Sequence, residues 1–145
     1  MNIYIICSVR DADEKLRAEL EAYTNWLEDK GHFVHLPHRD TNQDASGLDI
    51  CLENAAAIRL CDEVHVFYDP SSQGSHFDLG MLFMLDQIEG VKKRVRLIKS
   101  PKIEPGKSFP RMINEWMHLQ NEYSSLYSES YHATELDFAL PFENF

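Results

Sequence analysis

The sequence predicts an α/β domain with a mainly parallel sheet of four to five strands, in a three-layer flavodoxin-like or Rossmann-like fold. Short β-branched and aromatic runs alternate along the chain with longer segments whose apolar residues recur at helical spacing. No internal repeat interrupts this alternation. Strands and helices that alternate in this way favour a parallel sheet with right-handed crossovers, because each helix returns the chain to the same end of the sheet.

Local patterns define each element. In order, the sequence predicts a strand at 2–7, a helix ending near 29, a strand at 32–36, a polar loop at 38–47, a helix at 48–60, a strand at 63–68, a helix ending near 88, a strand at 92–98, a linker at 101–110 and a helix at 112–123. Asp11 or Asp13 is suited to cap the first helix. Lys30-Gly31 ends that helix with a cation and a glycine.

Length and charge limit the function classes. The chain has 145 residues and a formal net charge of −10, which fits a domain with a continuous core. Binding to nucleic acid or to an anionic membrane is not expected, because both need clustered positive charge. The N-terminus lacks the basic region of a signal peptide, and no window is long and apolar enough to span a membrane. The three cysteines form no Cys-x-x-Cys pair, so we expect a reducing, cytoplasmic compartment.

Residues 1–122 are predicted to form one nucleotide-binding domain. Residues 123–145 are polar and aromatic with weak periodicity. We expect this C-terminal tail to be able to pack on a neighbouring subunit.

Polar residues follow the first three strands, at the sheet edge where α/β folds bind ligands. These residues are Ser8, Arg10, His38, Asp69, Ser72, Gly74 and Ser75. Hydroxyl groups, an arginine and a helix N-terminus with small residues fit an anion such as phosphate. Asp78 would repel that anion unless it reacted with the ligand or oriented it.

A structural role for Asp78 is equally compatible with the pattern. Ser75 and Asp78 have the spacing of a capping box, in which Ser75 is the N-cap and Asp78 is the third helical residue. The sequence leaves the capping role and the catalytic role open.

A longer motif favours the catalytic role. Ser72-x-Gly74-x-x-x-Asp78-x-Gly80 follows a strand that Cys61-Asp62-Glu63-Val64 opens, and the first strand ends in Cys7-Ser8-Val9-Arg10. With these motifs the chain resembles the nucleoside 2-deoxyribosyltransferase superfamily, most closely its branch of 2′-deoxynucleoside 5′-monophosphate N-glycosidases. The similarity covers roughly residues 3–98.

The resemblance implies roles for individual residues. Asp78 matches the carboxylate that attacks the anomeric carbon and forms a glycosyl ester, which water or a second base resolves. Ser8, Arg10 and Ser72 match contacts to the 5′-phosphate. The resemblance also implies a nucleoside or nucleotide substrate, no cofactor or metal, and a homo-oligomer. Asn54 and Asp69 are then expected to contact the sugar or the base.

Departures from the family pattern support an alternative function. The family has the longer Glu where this chain has Asp78, and an Asp where it has Asn54. A neutral amide cannot act as a general acid or base. Cys7 also replaces a turn glycine. The alternative is a non-catalytic nucleotide-binding or sensing module on the same fold, and a third hypothesis is an interaction domain that works through its tail.

Three other patterns receive simpler interpretations. His32 and His35 face opposite sides of a strand, so a shared metal ion is not expected, although His38 remains a residue for the pocket rim. Gly106-Lys107-Ser108 lacks the first glycine of a P-loop. The basic residues of 92–99 predict a solvated edge strand that resists aggregation.

Overall fold

The computed structural model describes residues 1–10, 12–103 and 105–127. Its elements are β1 (Asn2–Ile6), α1 (Glu14–Asp29), β2 (Phe33–His35), α2 (Pro37–Asp40), α3 (Gly47–Leu60), β3 (Glu63–Phe67), α4 (Gln73–Gln87), β4 (Arg94–Lys99) and α5 (Phe109–Tyr127). The predicted α/β class is confirmed. The tail beyond residue 127 lies outside the described residues, so the proposed division at 122/123 stays a prediction.

The four strands form one parallel sheet in the order β2-β1-β3-β4. β1 lies in the interior of the sheet, where Tyr4 is in register with His35 of β2 and Val64 of β3. The chain leaves β1 toward β2 on one side and returns to β3 on the other. This reversal creates the switch point at which open α/β sheets bind ligands.

Alternate residues of β1 supply two separate cores. Ile3 and Ile5 pack on the side of α1, with its buried Leu20 and Leu27. Tyr4 lies on the other side, among buried apolar residues of α3, α4 and α5. Each fully buried aliphatic side chain contributes about 1.5–3 kcal/mol to folding. Helix α1 therefore covers one face of the sheet, and α3, α4 and α5 cover the other.

The loop predicted after β2 is wrong at its start, where the chain forms the short helix α2. Pro37 occupies the first helical position, where its missing N–H is not needed. The Leu36 N–H donates to Asp40 Oδ2 at 2.8 Å. Arg39 bonds to Glu28 of α1 and to Asp40, each at 2.8 Å. The polar composition of this segment indicates a loop, but Asp40 caps the helix and Arg39 fixes it by ion pairs.

β4 is an edge strand as predicted, but two of its basic side chains pair with a buried carboxylate instead of being only solvated. Arg94 and Arg96 both form ion pairs with Glu63 of β3, which is 1% exposed. His65 Nε2 lies 2.8 Å from Glu63 Oε1, and the Tyr23 hydroxyl of α1 lies 2.9 Å from His65 Nδ1. Burial alone disfavours the ionised form of Glu63 and raises its pKa. Hydrogen bonds from His65 and Arg96 outweigh the effect of burial and lower the pKa of Glu63 to about 2.

Helix α5 is fixed to the rest of the domain through a second buried carboxylate. Trp116 Nε1 donates to Asp86 Oδ2 of α4 at 2.9 Å, and Lys92 Nζ lies 2.6 Å from Asp86 Oδ1. Neither α5 nor any other described helix combines the length and the apolarity that crossing a membrane requires.

We expect Glu63→Gln to lower the free energy of unfolding at pH 7 by about 3 kcal/mol, because Arg94 and Arg96 lose their counter-charge. A lowered pKa gives stabilisation that is complete above the ordinary value of 4.5 and is lost as the pH falls through about 2. Urea unfolding should therefore show the difference from wild type shrinking toward pH 2. Glu19→Gln on α1 is the control, and a difference that stays constant with pH would contradict this account.

Candidate active site

The carboxyl ends of β1 and β3 bring Ser8 and Asp69 together at the switch point. Ser8 is buried just after β1, and Asp69 follows β3. The Ser71 hydroxyl donates to Asp69 Oδ1 at 2.6 Å, and the Ser71 N–H donates to the same oxygen at 2.9 Å. The Ser71 hydroxyl, together with the Ser8 hydroxyl, lowers the pKa of Asp69. Asp69 is therefore ionised at neutral pH and links the two loops that border the switch point.

Helix α4 begins earlier than the capping box requires, so that interpretation is wrong. Ser72 is the N-cap, and its Oγ accepts from the Ser75 N–H at 3.2 Å and from the Ser75 hydroxyl at 2.9 Å. Gly74 and Ser75 lie within the first turn and not in a preceding loop. Asp78 lies six residues beyond Ser72, too far along the helix to accept from the N–H groups of the first turn, which have no partner within the helix.

This helix start retains donors for an anion. Ser72 Oγ accepts two hydrogen bonds from Ser75, which leaves the Ser72 hydroxyl proton to donate elsewhere. The exposed Gly74 adds a backbone N–H of the first turn, a position that has no intrahelical partner. A phosphate or carboxylate fits such a helix N-terminus.

Asp78 lies on the inner side of α4 and is 6% exposed. The Tyr4 hydroxyl of β1 donates to its Oδ2 at 2.9 Å, and Asn54 Nδ2 of α3 lies 3.5 Å from the same oxygen. Within the described part of the chain, Oδ1 accepts no hydrogen bond. Burial raises the pKa of Asp78 to about 6, although the bonds from Tyr4 and Asn54 oppose this shift.

Hydrogen bonds between neutral side chains connect Asn54 to Thr41 and Thr41 to His35. The Thr41 hydroxyl donates to Asn54 Oδ1 at 3.0 Å, and His35 Nε2 lies 2.9 Å from Thr41 Oγ1. The His35 ring stacks on Tyr4 with centroids 5.3 Å apart and an interplanar angle of 16°. Asp78 is therefore held by two donors from different elements, and both donors touch the same histidine directly or through Thr41.

Two further sequence candidates have no described hydrogen bond to this cluster. Arg10 is exposed in the turn after β1, and no hydrogen bond or ion pair joins it to the other described residues. His38 lies on α2 with its Nε2 3.5 Å from Glu21 of α1, and no described contact joins it to Asp78. Over the described ranges, no group of three or more His, Cys, Asp or Glu side chains is placed to hold a metal ion.

Sequence reasoning missed the contributions of Tyr4, His35 and Thr41. Tyr4 lies within β1, where the sequence pattern alone indicates a packing residue. Its hydroxyl in a strand that is otherwise rich in isoleucine was a usable signal, since a buried tyrosine hydroxyl usually needs a partner. Thr41 has no such signal, because its role depends on the path of the chain after β2.

The carboxylate has the features of a nucleophile with limited solvent access. Oδ2 is anchored by two donors, whereas Oδ1 accepts no hydrogen bond from the described residues. A pKa near 6 leaves the carboxylate mostly ionised at neutral pH. A carboxylate of this kind can attack an electron-poor carbon and leave again.

Asp78→Asn is expected to stabilise the protein at pH 8 relative to wild type, because it removes a buried charge that no cation of the described ranges contacts. Because the pKa of Asp78 is raised from 3.8 to about 6, its protonated form stabilises the fold of the wild type. This stabilisation is complete below pH 3.8 and is lost as the pH rises through 6. The free energy of unfolding of Asp78→Asn minus that of wild type, measured with urea, should be about 3 kcal/mol greater at pH 8 than at pH 4. Asp44→Asn, in an exposed loop, should show no such dependence. Equal effects of Asp78→Asn at both pH values would contradict the assignment.

Comparison with known proteins shows the fold. No family model and no curated protein matches the chain. A 2-deoxyribosyltransferase from Bacillus psychrosaccharolyticus has a similar structure, with a TM-score of 0.56, 16% identity, and coverage of 87% of this chain and 96% of that one. A CMP N-glycosidase from Clostridium botulinum has a TM-score of 0.52, 17% identity, and coverage of 87% and 97%. The chain therefore shares the α/β fold of these two enzymes.

Proposed function

We propose that this protein is an enzyme that cleaves or transfers the N-glycosidic bond of a nucleoside or nucleoside 5′-monophosphate, with Asp78 as the nucleophile. The observation that carries the proposal is the Asp78 carboxylate, with Oδ2 held by Tyr4 and Asn54 and with Oδ1 accepting no hydrogen bond from the residues that the structure describes. Two enzymes of the same fold act on N-glycosidic bonds, which supports this chemistry.

The proposed reaction proceeds in two displacements at the anomeric carbon. Asp78 Oδ1 forms a bond to that carbon while the bond to the base nitrogen breaks, and the electron pair leaves with the base, which takes a proton from water. Water or a second base then attacks the same carbon, and the ester bond breaks to restore the carboxylate. The attacking group loses a proton to the hydroxide that was left when the first base was protonated. Two inversions retain the configuration of the sugar.

The other candidate residues would bind the phosphate and the sugar. Arg10, Ser72 and the first turn of α4, with Gly74 and Ser75, would provide guanidinium, hydroxyl and N–H donors for a 5′-phosphate. Ser8 would join them by turning its hydroxyl from Asp69 to the phosphate. Asp69 is ionised and would repel phosphate, so we assign it to a sugar hydroxyl. Asn54 would contact the sugar or base beside Asp78, with His38 at the pocket rim.

One observation favours a second function, a nucleotide-binding module without turnover. Asn54 lies beside Asp78, and the described residues place no second carboxylate in contact with Asp78 that could protonate a leaving base. In that case, calorimetry would detect nucleotide binding without product, and Arg10→Ala would abolish the binding.

The direct test is incubation with a panel of ribo- and deoxyribonucleosides and their 5′-monophosphates, with chromatography of the released base. We expect release by wild type and a loss of at least about a thousandfold in Asp78→Asn. Activity should rise with pH through about 6, since only the ionised carboxylate attacks. Asp44→Asn serves as the matched control.

The absence of released base at enzyme concentrations comparable with substrate would refute the enzymatic proposal. Trapping a glycosyl ester on Asp78, seen as added mass on the peptide that carries it, would distinguish the nucleophile from a general base. Equal activity in Asp78→Asn would also refute the assignment.

We further propose that the exposed apolar face of α3 and α4 pairs with a second copy of the chain. Leu52, Phe77, Met84 and Ile88 are each more than half exposed there. A groove of about 650 Å³ runs between the helices beside Gly80. Exposed apolar patches of this kind mark interaction sites, and a two-fold pair would cover the patch on both copies.

Met84→Glu is expected to convert this pair to a monomer, because it places a charge in the apolar contact. Light scattering during size-exclusion chromatography measures the mass. Leu119→Glu, at an exposed apolar position on α5, should leave the mass unchanged. A monomeric wild-type protein would rule out the proposed pairing.

A further inference from the structure

We propose that Thr41 and His35 are positioning residues that orient the Asn54 side-chain amide so that its nitrogen faces Asp78. The catalytic consequence rests on the proposed function, whereas the orientation itself follows from contacts between described residues.

In the series His35, Thr41, Asn54 and Asp78, each hydrogen bond has its donor on the side of His35 and its acceptor on the side of Asp78. Thr41 has one hydroxyl proton and donates it to Asn54 Oδ1 at 3.0 Å. Thr41 Oγ1 must then accept from His35, so the ring carries a proton on Nε2, 2.9 Å away. Asn54 Oδ1 is thereby turned toward Thr41, and Nδ2 is turned toward Asp78 Oδ2 at 3.5 Å. The reverse orientation would place the amide oxygen against the carboxylate.

The same histidine supports the other donor to Asp78. His35 stacks on Tyr4, whose hydroxyl bonds to Asp78 Oδ2 at 2.9 Å. Tyr4, His35, Thr41, Asn54 and Asp78 therefore form a closed ring of contacts. Burying Tyr4, Thr41 and Asn54 in this ring costs desolvation that an apolar core would avoid. A ring that ends on a reactive carboxylate gives a functional reason for that cost.

The backbone of the β2–α3 connection delivers Thr41 to this position. Thr41 is the C-cap of α2, and its N–H donates to the Pro37 carbonyl at 3.1 Å. Gln43 Nε2 donates to the carbonyls of Pro37 and Thr41 at 2.8 and 3.1 Å. The turn is therefore held independently of Asn54, which is what a positioning residue requires.

Other titratable groups near Asp78 stay neutral at the pH of interest. Burial raises the pKa of Tyr4 well above its usual range, and it raises the pKa of Cys7 to about 12 and that of Cys61 to about 11. Burial also lowers the pKa of His35. Among the described residues, no cation contacts Asp78, so the donors of Tyr4 and Asn54 are the groups that stabilise its charge.

The test measures the pKa of Asp78 directly, by NMR of its labelled carboxyl carbon in the full chain, with Asp78→Asn to assign the signal. Thr41→Val removes the hydroxyl and keeps the shape, so the amide loses its orientation. We expect the pKa of Asp78 to rise by about half a unit or more. Thr41→Ser, which restores the hydroxyl, should return it to the wild-type value. Thr24→Val is the matched control, because Thr24 is buried on α1 and its hydroxyl has no described partner.

A second variant guards against misfolding at position 41. His35→Phe keeps a ring against Tyr4 and removes the donor to Thr41, so we expect a shift in the same direction as in Thr41→Val. If the proposed function holds, kcat falls about tenfold in both variants with little change in KM, and the acid limb of the pH profile moves with the measured pKa.

The outcomes separate the two proposals. An unchanged pKa of Asp78 in folded Thr41→Val and His35→Phe overturns the positioning role, whatever the activity. Equal shifts in Thr41→Val and Thr41→Ser also overturn it, since packing would then be the cause. A shift in Thr41→Val that Thr41→Ser reverses supports the positioning role even if wild type releases no base, a result that would refute only the proposed function.

Discussion

The hydrogen bond from Tyr4 to Asp78 is the interaction on which the candidate site depends. It joins an interior strand to α4 and lets a carboxylate remain buried beside the apolar core. The fold supplies the geometry, because β1 lies inside the sheet and turns Tyr4 toward the helices that carry Asn54 and Asp78. Buried Leu79 and Leu82 hold α4 against the sheet at that position. The polar site and the core on this face are therefore parts of a single packing arrangement.

Two buried carboxylates on opposite faces show how surroundings determine chemistry. Glu63 pairs with Arg94, Arg96 and His65, and its lowered pKa marks a charge that stabilises the fold. Among the described residues the hydrogen-bond donors to Asp78 are neutral, and the raised pKa of Asp78 means that its ionised form destabilises the fold. An acid with strong ion pairs is a poor nucleophile, because its electron pairs are already engaged. The partners, more than the burial, separate a structural carboxylate from a reactive one.

Much of the fold could be predicted from local sequence pattern, whereas the site could be predicted only in part. Alternating strand and helix periodicity is a local property, so the parallel sheet and the place of Asp78 on α4 followed from it. The choice between Ser72 and Ser75 as N-cap depends on how the turn after β3 closes, and both residues satisfy the local rule. The approach of Thr41 to Asn54 depends on α2, whose polar residues also fit a loop. Contacts between distant segments carry no signature in a single sequence.

The short helix α2 has a consequence for how the molecule tolerates change. Arg39 on this turn bonds to Glu28 of α1 on one side of the sheet, and Thr41, two residues later, reaches Asn54 on the other side. The strands lie between the two faces, and this turn contacts both of them. A substitution at the end of α1 can therefore shift Thr41, through the backbone between Arg39 and Thr41, and so affect the surroundings of Asn54. The residues found at positions 28 and 39 should vary together across homologues.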